Sequence, residues 1–150
     1  MEFDYIFSEM KKRVRWAFIL DKDEFVRLSL SKILKKYGFQ VEEVEDLSHL
    51  ENRRKEIREG MILADLELES IDKWLPLVRK WNDRFILMSP LITDELKERL
   101  KQSGIHRIIK KPVEPGVLRK VVRGIPFSEE IKFPIPGKKR GEIQVQPERR

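Results

Sequence analysis

Short apolar runs alternate along the chain with longer stretches that mix apolar and charged residues. Three of these runs are continuous, at residues 16–20, 61–64 and 85–88, whereas those at residues 39–44 and 105–110 contain polar positions. A short continuous run is typical of a strand buried on both faces, and an alternating run is typical of a more exposed strand. The pattern therefore predicts five strands, with residues 39–44 at an edge of the sheet.

The stretches between the strands have the spacing and the end signals of amphipathic helices. Acidic residues and Thr93 favour helix starts, and Gly38 and Gly104 favour helix ends. Helices are predicted from the acids at residues 21–24 to about Tyr37, from Asp46 or Ser48 to Glu59, from Ser70 to Trp81 with a kink or a displaced start at Pro76, from Thr93 to Gly104, and from Glu114 to Arg123. Regular alternation of strand and helix predicts an α/β fold, in which helices cover both faces of a parallel sheet.

Both ends of the chain lie outside this alternation. Residues 1–13 carry apolar side chains at helical spacing from Phe3 to Met10, which favours an amphipathic helix, with a poorly ordered arm as the alternative. Residues 125–150 alternate apolar and polar positions, so we expect either a small β-hairpin or an extended tail. The predicted organisation is an N-terminal extension, one domain at residues 14–124, and a C-terminal tail.

Composition limits the kinds of site and partner. The chain of 150 residues has no cysteine, which excludes disulfides and thiolate metal sites. Charged residues make up 39% of the chain, which is similar to the composition of hyperthermophile proteins. The net charge is +6, but positive and negative residues are interspersed, which indicates a solvated surface rather than a nucleic-acid site. No apolar run reaches the length of about 18 residues that a membrane span needs, and no signal peptide is recognisable. We therefore expect a cytoplasmic protein.

Polar side chains follow four of the predicted strands at the point where each strand ends. These residues are Asp21, Asp65, Ser89 and Lys111. Because the carboxyl ends of parallel strands meet at one edge of a sheet, we expect these four side chains to lie close together. Carboxylates suit a cation or a nucleophilic role, whereas a lysine and a hydroxyl suit anionic oxygens. The set therefore indicates phosphoryl chemistry with a metal ion.

The segments that carry these residues resemble the receiver domains of two-component response regulators. The matching pieces are Ile19-Leu20-Asp21, Ala64-Asp65, Leu87-Met88-Ser89 and Lys111-Pro112. The resemblance implies a flavodoxin-like fold with a five-stranded parallel sheet of order 2-1-3-4-5. It also implies that the partner is a histidine kinase or another signalling protein, and that the chain forms a homodimer in some states.

The resemblance implies a role for each matched residue. Asp65 corresponds to the carboxylate that accepts a phosphoryl group from a kinase histidine. Ser89 corresponds to the hydroxyl that bonds a phosphoryl oxygen, and Lys111 corresponds to the lysine that pairs with the aspartate or its phosphate. Mg²⁺ would be held by Asp21, Asp65 and the backbone carbonyl of Glu67.

Several positions depart from the family pattern, among them Leu68-Glu69 in place of a usual Met-Pro and Lys73 in place of a usual Gly. Lys22 stands where the family usually has a second acid, and an ammonium cannot ligate Mg²⁺ but can pair with Asp65 in its place. Pro90 follows Ser89 and has no N–H to offer a phosphoryl group. Ile108 stands where the family usually has an aromatic residue that reports the phosphorylated state. We therefore expect Mg²⁺ to bind weakly.

Three functions fit this set of residues. The first is a receiver with a degenerate site that acts as a protein-interaction module. The second is a working phospho-switch that accepts phosphate on Asp65 from a histidine kinase. The third is a haloacid-dehalogenase-like phosphohydrolase, because Asp21-Lys22-Asp23 resembles its Asp-x-Asp motif, with Asp21 as nucleophile and Asp23 as acid/base. The first two are not enzymes beyond self-phosphotransfer, and phosphodonor treatment separates all three.

Overall fold

A single parallel sheet forms the centre of the domain. The computed structural model describes residues 14–128 and residue 133. Within them, five strands pair in the order β2-β1-β3-β4-β5, all parallel. The strands are β1 (Arg15–Leu20), β2 (Phe39–Glu43), β3 (Met61–Asp65), β4 (Phe85–Ser89) and β5 (Arg107–Lys110). The predicted flavodoxin-like order is confirmed.

The register brings the strand ends level with one another. Leu63 on β3 pairs with Ile19 on β1 and with Ile86 on β4. The residues of β4 are all buried, as are the first four of β3, which is the outcome expected for continuous apolar runs in the middle of a parallel sheet. β2 lies at an edge, as its sequence predicts, and it is less buried than β3 and β4, with Phe39 buried and Gln40 and Glu43 exposed.

Five helices cover the two faces of the sheet in the described part of the chain. They are α1 (Glu24–Lys36), α2 (Arg54–Arg58), α3 (Ile71–Trp81), α4 (Asp94–Gln102) and α5 (Pro115–Arg123). Leu34 of α1 and Leu118 of α5 pack in one core cluster, and Ile57 of α2, Val78 of α3 and Leu100 of α4 pack in the other. Each fully buried leucine contributes about 1.5–3 kcal/mol, so both layers stabilise the sheet.

The charged helix predicted at residues 46–59 is wrong in extent. Leu47–Leu50 form a 3₁₀ turn, and α2 covers only five residues after a break. The Asp46 carboxylate accepts a hydrogen bond from the Ser48 N–H at 2.8 Å, which caps the turn. Because Leu47 and Leu50 are three residues apart and both buried, the three-residue period of a 3₁₀ turn directs both side chains inward.

The end signals of the other helices mostly act as predicted. Thr93 Oγ1 accepts a hydrogen bond from the Leu96 N–H at 3.1 Å at the start of α4, and Gly38 and Gly104 have positive φ values of 95° and 102° after α1 and α4. Ser70 does not cap α3, because its hydroxyl donates to the Glu67 carbonyl at 2.9 Å. α3 begins at Ile71 and continues through Pro76.

The extensions are described only in part. The amphipathic helix predicted at residues 1–13 and the hairpin predicted between Ile131 and Val145 lie outside the described residues, apart from Phe133. Residues 125–128, which follow α5, are described and belong to no helix or strand. None of the helices in the described part of the chain is long and apolar enough to cross a membrane.

Candidate functional site

The four candidate residues lie at the carboxyl edge of the sheet, as predicted. Asp65 is the last residue of β3 and Ser89 the last residue of β4. Asp21 follows β1 and Lys111 follows β5, each by one residue. Leu20 pairs with Ala64, Asp65 with Met88 and Ser89 with Lys110, so the register alone brings the four positions to one edge.

The Lys111 ammonium bridges the two carboxylates. Its Nζ lies 2.8 Å from Asp21 Oδ2 and 2.5 Å from Asp65 Oδ2. The backbone N–H of Lys111 donates to the Ser89 carbonyl at 2.9 Å, which fixes where the side chain starts. The Asp21 side chain is 2% exposed, the Lys111 side chain 15% and the Asp65 side chain 27%. Asp65 is therefore the acid of this cluster that solvent and small molecules can reach.

Opposing influences act on the Lys111 ammonium. Burial is the largest, and by itself it lowers the pKa of Lys111. Hydrogen bonds and charge attraction from Asp21 and Asp65 outweigh burial, so the pKa of Lys111 lies above its usual value of 10.5. The ammonium is therefore charged at neutral pH and offsets the repulsion between the two acids.

The Asp21 carboxylate and backbone are held by further contacts. Asp21 Oδ1 accepts a hydrogen bond from the Asp23 N–H at 2.8 Å, and the Asp21 carbonyl accepts one from Arg27 Nη1 at 2.7 Å. The Asp23 carboxylate caps α1 by accepting from the Phe25 N–H at 2.9 Å. An enclosed Asp21 has little room to attack phosphorus, and Asp23 is engaged in the cap, so the geometry does not favour the phosphohydrolase hypothesis.

Arg27 and Glu43 take part in this site without any sign in the sequence pattern. Arg27 Nε lies 3.0 Å from Glu43 Oε1, so one guanidinium joins the start of α1, the Asp21 carbonyl and the end of β2. Both residues line a cavity of about 380 Å³ beside Asp21 and Asp65. Their charges suggested only solvated faces, because contact between residues 27 and 43 requires β2 to lie beside β1.

Lys22 does not pair with Asp65, contrary to the sequence-based expectation. Within residues 14–128 its exposed side chain forms no hydrogen bond or ion pair with Asp65, and Lys111 takes that position. Lys22 nevertheless lines the same cavity as Asp21 and Asp65. Its positive charge therefore lies on the exposed side of the cavity that Asp21 and Asp65 also line.

A comparison with models of known protein families shows the family of this chain. The sequence model of the response regulator receiver domain family matches residues 17–123 of this chain. The chain belongs to the response regulator receiver family. A sequence comparison with curated proteins finds no match.

Solved receiver structures share the fold. The chemotaxis protein CheY4 of Vibrio cholerae superposes with a TM-score of 0.61 and 18% identity over 75% of this chain and 99% of that one. A putative response regulator from Chloroflexus aurantiacus has a TM-score of 0.58 and 18% identity over 75% and 97%. The beryllofluoride-activated NtrC4 receiver domain dimer has a TM-score of 0.59 and 17% identity over 73% and 95%. These TM-scores show a common fold, and at identities of 17–18% the matches show the fold alone.

Receiver domains typically bind Mg²⁺ at the phosphorylation site, and the residues of this receiver do not fit the ion well. The Glu67 carbonyl, expected as a ligand, accepts hydrogen bonds from both the N–H and the hydroxyl of Ser70, at 3.0 and 2.9 Å. A carbonyl oxygen has two lone pairs, so both are engaged. In the described part of the chain, no group of three or more His, Asp or Glu side chains is arranged to hold a metal ion.

The Ser89 hydroxyl of this receiver is engaged within its own loop. Ser89 is 3% exposed, and its Oγ accepts a hydrogen bond from the Leu91 N–H at 3.1 Å across Pro90. Ile108 is partly buried and packs against the core cluster that contains α3 and α4. Both positions associated with the phosphorylated state in the family are therefore held by internal contacts.

Proposed function

We propose that this chain is a two-component receiver that acts as a protein-interaction module, with a site balanced by lysines rather than by Mg²⁺. The single observation that carries the proposal is Lys22, which lines the cavity beside Asp21 and Asp65 at the position where the family usually has a second acid. The Lys111 ammonium, 2.8 Å from Asp21 and 2.5 Å from Asp65, already pairs with both acids. In this arrangement the acids have a cation of the protein itself, and signalling then depends on contacts rather than on a phosphoryl group.

Lys22 supports the proposal through its charge. A second acid at this position would add an oxygen ligand, whereas an ammonium adds none and repels a divalent cation. The charges of Lys22 and Lys111 are equal in number and opposite in sign to those of Asp21 and Asp65, which weakens the attraction of these two acids for an added cation. Hard cations such as Mg²⁺ depend on charged oxygen ligands, and this site offers few of them.

The working phospho-switch is the second candidate, because Asp65 is accessible. Its side chain is 27% exposed, and Ser89 and Lys111 lie at the adjoining strand ends. A carboxylate can attack phosphorus, and a lysine and a hydroxyl stabilise the charge that develops on the transferred group. This reaction would use the same residues, and it requires Lys111 to exchange a carboxylate for the phosphoryl oxygens.

Treatment with a small phosphodonor distinguishes the two candidates. The purified chain is incubated with acetyl phosphate and Mg²⁺, and its intact mass is measured over time. We expect the mass to stay unchanged. Addition of one phosphoryl group, lost in the Asp65→Asn variant, would establish the phospho-switch instead. Continuous release of phosphate from the donor would indicate an enzyme.

A metal titration tests the role of Lys22 directly. We expect calorimetry to detect no Mg²⁺ binding at millimolar concentration in the unchanged chain, and measurable binding in Lys22→Asp. Lys32→Asp, at an exposed position of α1, has the same change of charge without adding a ligand and serves as the matched control. Ordinary Mg²⁺ affinity in the unchanged chain would contradict the proposal.

A further inference from the structure

The chain does not leave the domain after α5. The Gly124 carbonyl accepts a hydrogen bond from Arg107 Nη2 at 2.9 Å, and the Pro126 carbonyl accepts one from Arg84 Nη2. Arg84 and Arg107 lie at the starts of β4 and β5, so these contacts hold the chain against the amino edge of the sheet. This edge is opposite to the one that carries Asp65. The match to the receiver family ends at residue 123, so this segment is additional to the family's domain.

Glu59 holds the same segment from the other side. Its Oε1 accepts hydrogen bonds from the Ser128 N–H at 3.0 Å and from the Ser128 hydroxyl at 2.8 Å. Burial is the largest influence on Glu59 and raises its pKa, but these bonds and the charges of Arg84 and Arg15 outweigh it, so the pKa of Glu59 lies below its usual value. The bonds therefore go to a charged carboxylate, which makes them stronger than bonds between neutral groups.

Aromatic side chains of the segment contact aromatic and arginine side chains of the domain. The Phe127 ring lies 5.1 Å from the guanidinium carbons of both Arg15 and Arg84, and 5.8 Å from the Phe39 ring in an edge-to-face arrangement. Rings and guanidinium groups at these distances attract one another through edge-to-face and cation–π contacts.

A second phenylalanine repeats the arrangement further along the chain. The Phe133 ring lies 4.7 Å from the Tyr37 ring and 5.3 Å from the Arg123 guanidinium carbon. Phe127 and Phe133 both pack against the core cluster that contains α1 and α5. Two phenylalanines of the segment therefore contact the same face at separate places.

We propose that residues 124–128 together with Phe133 act as an intramolecular ligand that occupies an aromatic and arginine-rimmed groove at the amino edge of the sheet. The groove consists of Phe39 and Tyr37 with Arg15, Arg84 and Arg123 around them, and it takes two phenylalanines of the segment. These residues therefore function as part of the receiver unit, and not as a free linker. Because Asp65 lies at the opposite edge, occupation of the groove leaves the acidic pair open.

The test uses the full chain with both phenylalanines of the segment replaced. We expect Phe127→Ala with Phe133→Ala to lower the melting temperature by about 5 °C or more, and to speed amide exchange at residues 37–41 while exchange near Asp65 stays unchanged. Phe25→Ala, which removes a phenylalanine that is 80% exposed on α1, is the matched control and should change neither quantity. The milder variant Ser128→Ala removes one hydrogen bond to Glu59 and should show the same local exchange without loss of the fold.

A peptide supplied separately shows whether the groove is a binding site. A synthetic peptide of residues 124–135 at millimolar concentration should restore the melting temperature of the double variant, because a separate ligand must match the high effective concentration of a tethered one. A peptide with both phenylalanines replaced by alanine should not restore it. Three results would each overturn the proposal: a double variant that behaves like Phe25→Ala, absence of rescue by the unmodified peptide, or light scattering that shows a dimer of the unchanged chain and a monomer of the double variant.

Discussion

The residue that balances the site is Lys111, because among the described residues it alone forms ion pairs with both acids. Asp21 is almost fully enclosed, so its charge depends on a cation close by, and Lys111 Nζ lies 2.8 Å from it. Lys22 has the same charge but an exposed side chain. Position relative to the acids, rather than residue type, therefore decides which lysine takes the central place in this receiver.

A double-mutant cycle measures this balance. Lys111→Met leaves two carboxylates at the same edge without their cation, and we expect it to lower the free energy of unfolding by about 3 kcal/mol. Asp65→Asn should restore part of that loss, since it removes one of the opposing charges. Urea unfolding of the single and double variants gives the coupling, and Lys110→Met, at the exposed neighbouring position, is the control. Additive effects of Lys111→Met and Asp65→Asn would show that the acids are not coupled through Lys111.

At the scale of elements, the loop between β4 and α4 is held by bonds on both sides. Ser89 Oγ accepts from the Leu91 N–H, and the Ser89 carbonyl accepts from the Lys111 N–H. Pro90 restricts the backbone between these two bonds, while Leu91 is 70% exposed. A ligand shifts an equilibrium only where two states differ in affinity for it. These contacts stabilise one state, in which Leu91 is exposed on the surface.

A phosphate mimic tests whether this loop has a second state. We expect beryllofluoride with Mg²⁺ to leave the NMR signals of Leu91 and Ile108 in place and the oligomer size unchanged, because the Ser89 hydroxyl and the Asp65 carboxylate already have partners. A large shift of these signals, or a change in oligomer size, that Asp65→Asn abolishes would show that the loop switches.

The loop bond itself is open to a separate measurement. Ser89→Ala removes the acceptor of the Leu91 N–H, so we expect faster hydrogen exchange at Leu91 and a loss of stability of about 1 kcal/mol. Ser103→Ala is the control, because the Ser103 hydroxyl donates within its own helix end, to the Arg99 carbonyl at 3.2 Å. Equal exchange rates at Leu91 in Ser89→Ala and in the unchanged protein would mean that the bond does not hold the loop.

At the scale of the whole molecule, the two edges of the sheet have different contents. The carboxyl edge carries Asp21, Asp65 and Lys111, and the amino edge carries arginines that hold residues 124–128. Arg84 contacts Phe127 and the Pro126 carbonyl, and Arg107 contacts the Gly124 carbonyl. Contacts of charged side chains therefore lie at both edges of the sheet.

The dependence of stability on pH follows from the raised pKa of Lys111. A group whose pKa is higher in the folded protein than in the unfolded chain stabilises the folded state when it is protonated. For Lys111 this contribution is complete below the unfolded pKa of about 10.5 and is lost as pH rises through the folded pKa. We expect the free energy of unfolding, compared at pH 8 and about pH 11, to fall more in the unchanged protein than in Lys111→Met. The control Lys32→Met should fall as much as the unchanged protein, and an equal fall in Lys111→Met would contradict the assignment.

The sequence alone determined the sheet and the content of its carboxyl edge. The strand Met61–Asp65 was predicted with its observed bounds, and Asp21, Asp65, Ser89 and Lys111 were predicted to meet. These predictions succeed because burial on both faces imposes continuous apolar runs, and because parallel strands bring their ends together wherever the helices between them lie. Both signals are present within short stretches of sequence.

Only the tertiary structure decided which charges pair and where the chain goes after α5. Four features depend on residues that are distant in sequence. They are the short α2, the pairing of the acids with Lys111 rather than Lys22, the ion pair of Arg27 with Glu43, and the segment held by Arg84 and Glu59. An ion pair forms only where two side chains approach within about 4 Å and lose enough water for the attraction to matter. That distance is a property of the packed fold, so a local pattern of charges cannot reveal it.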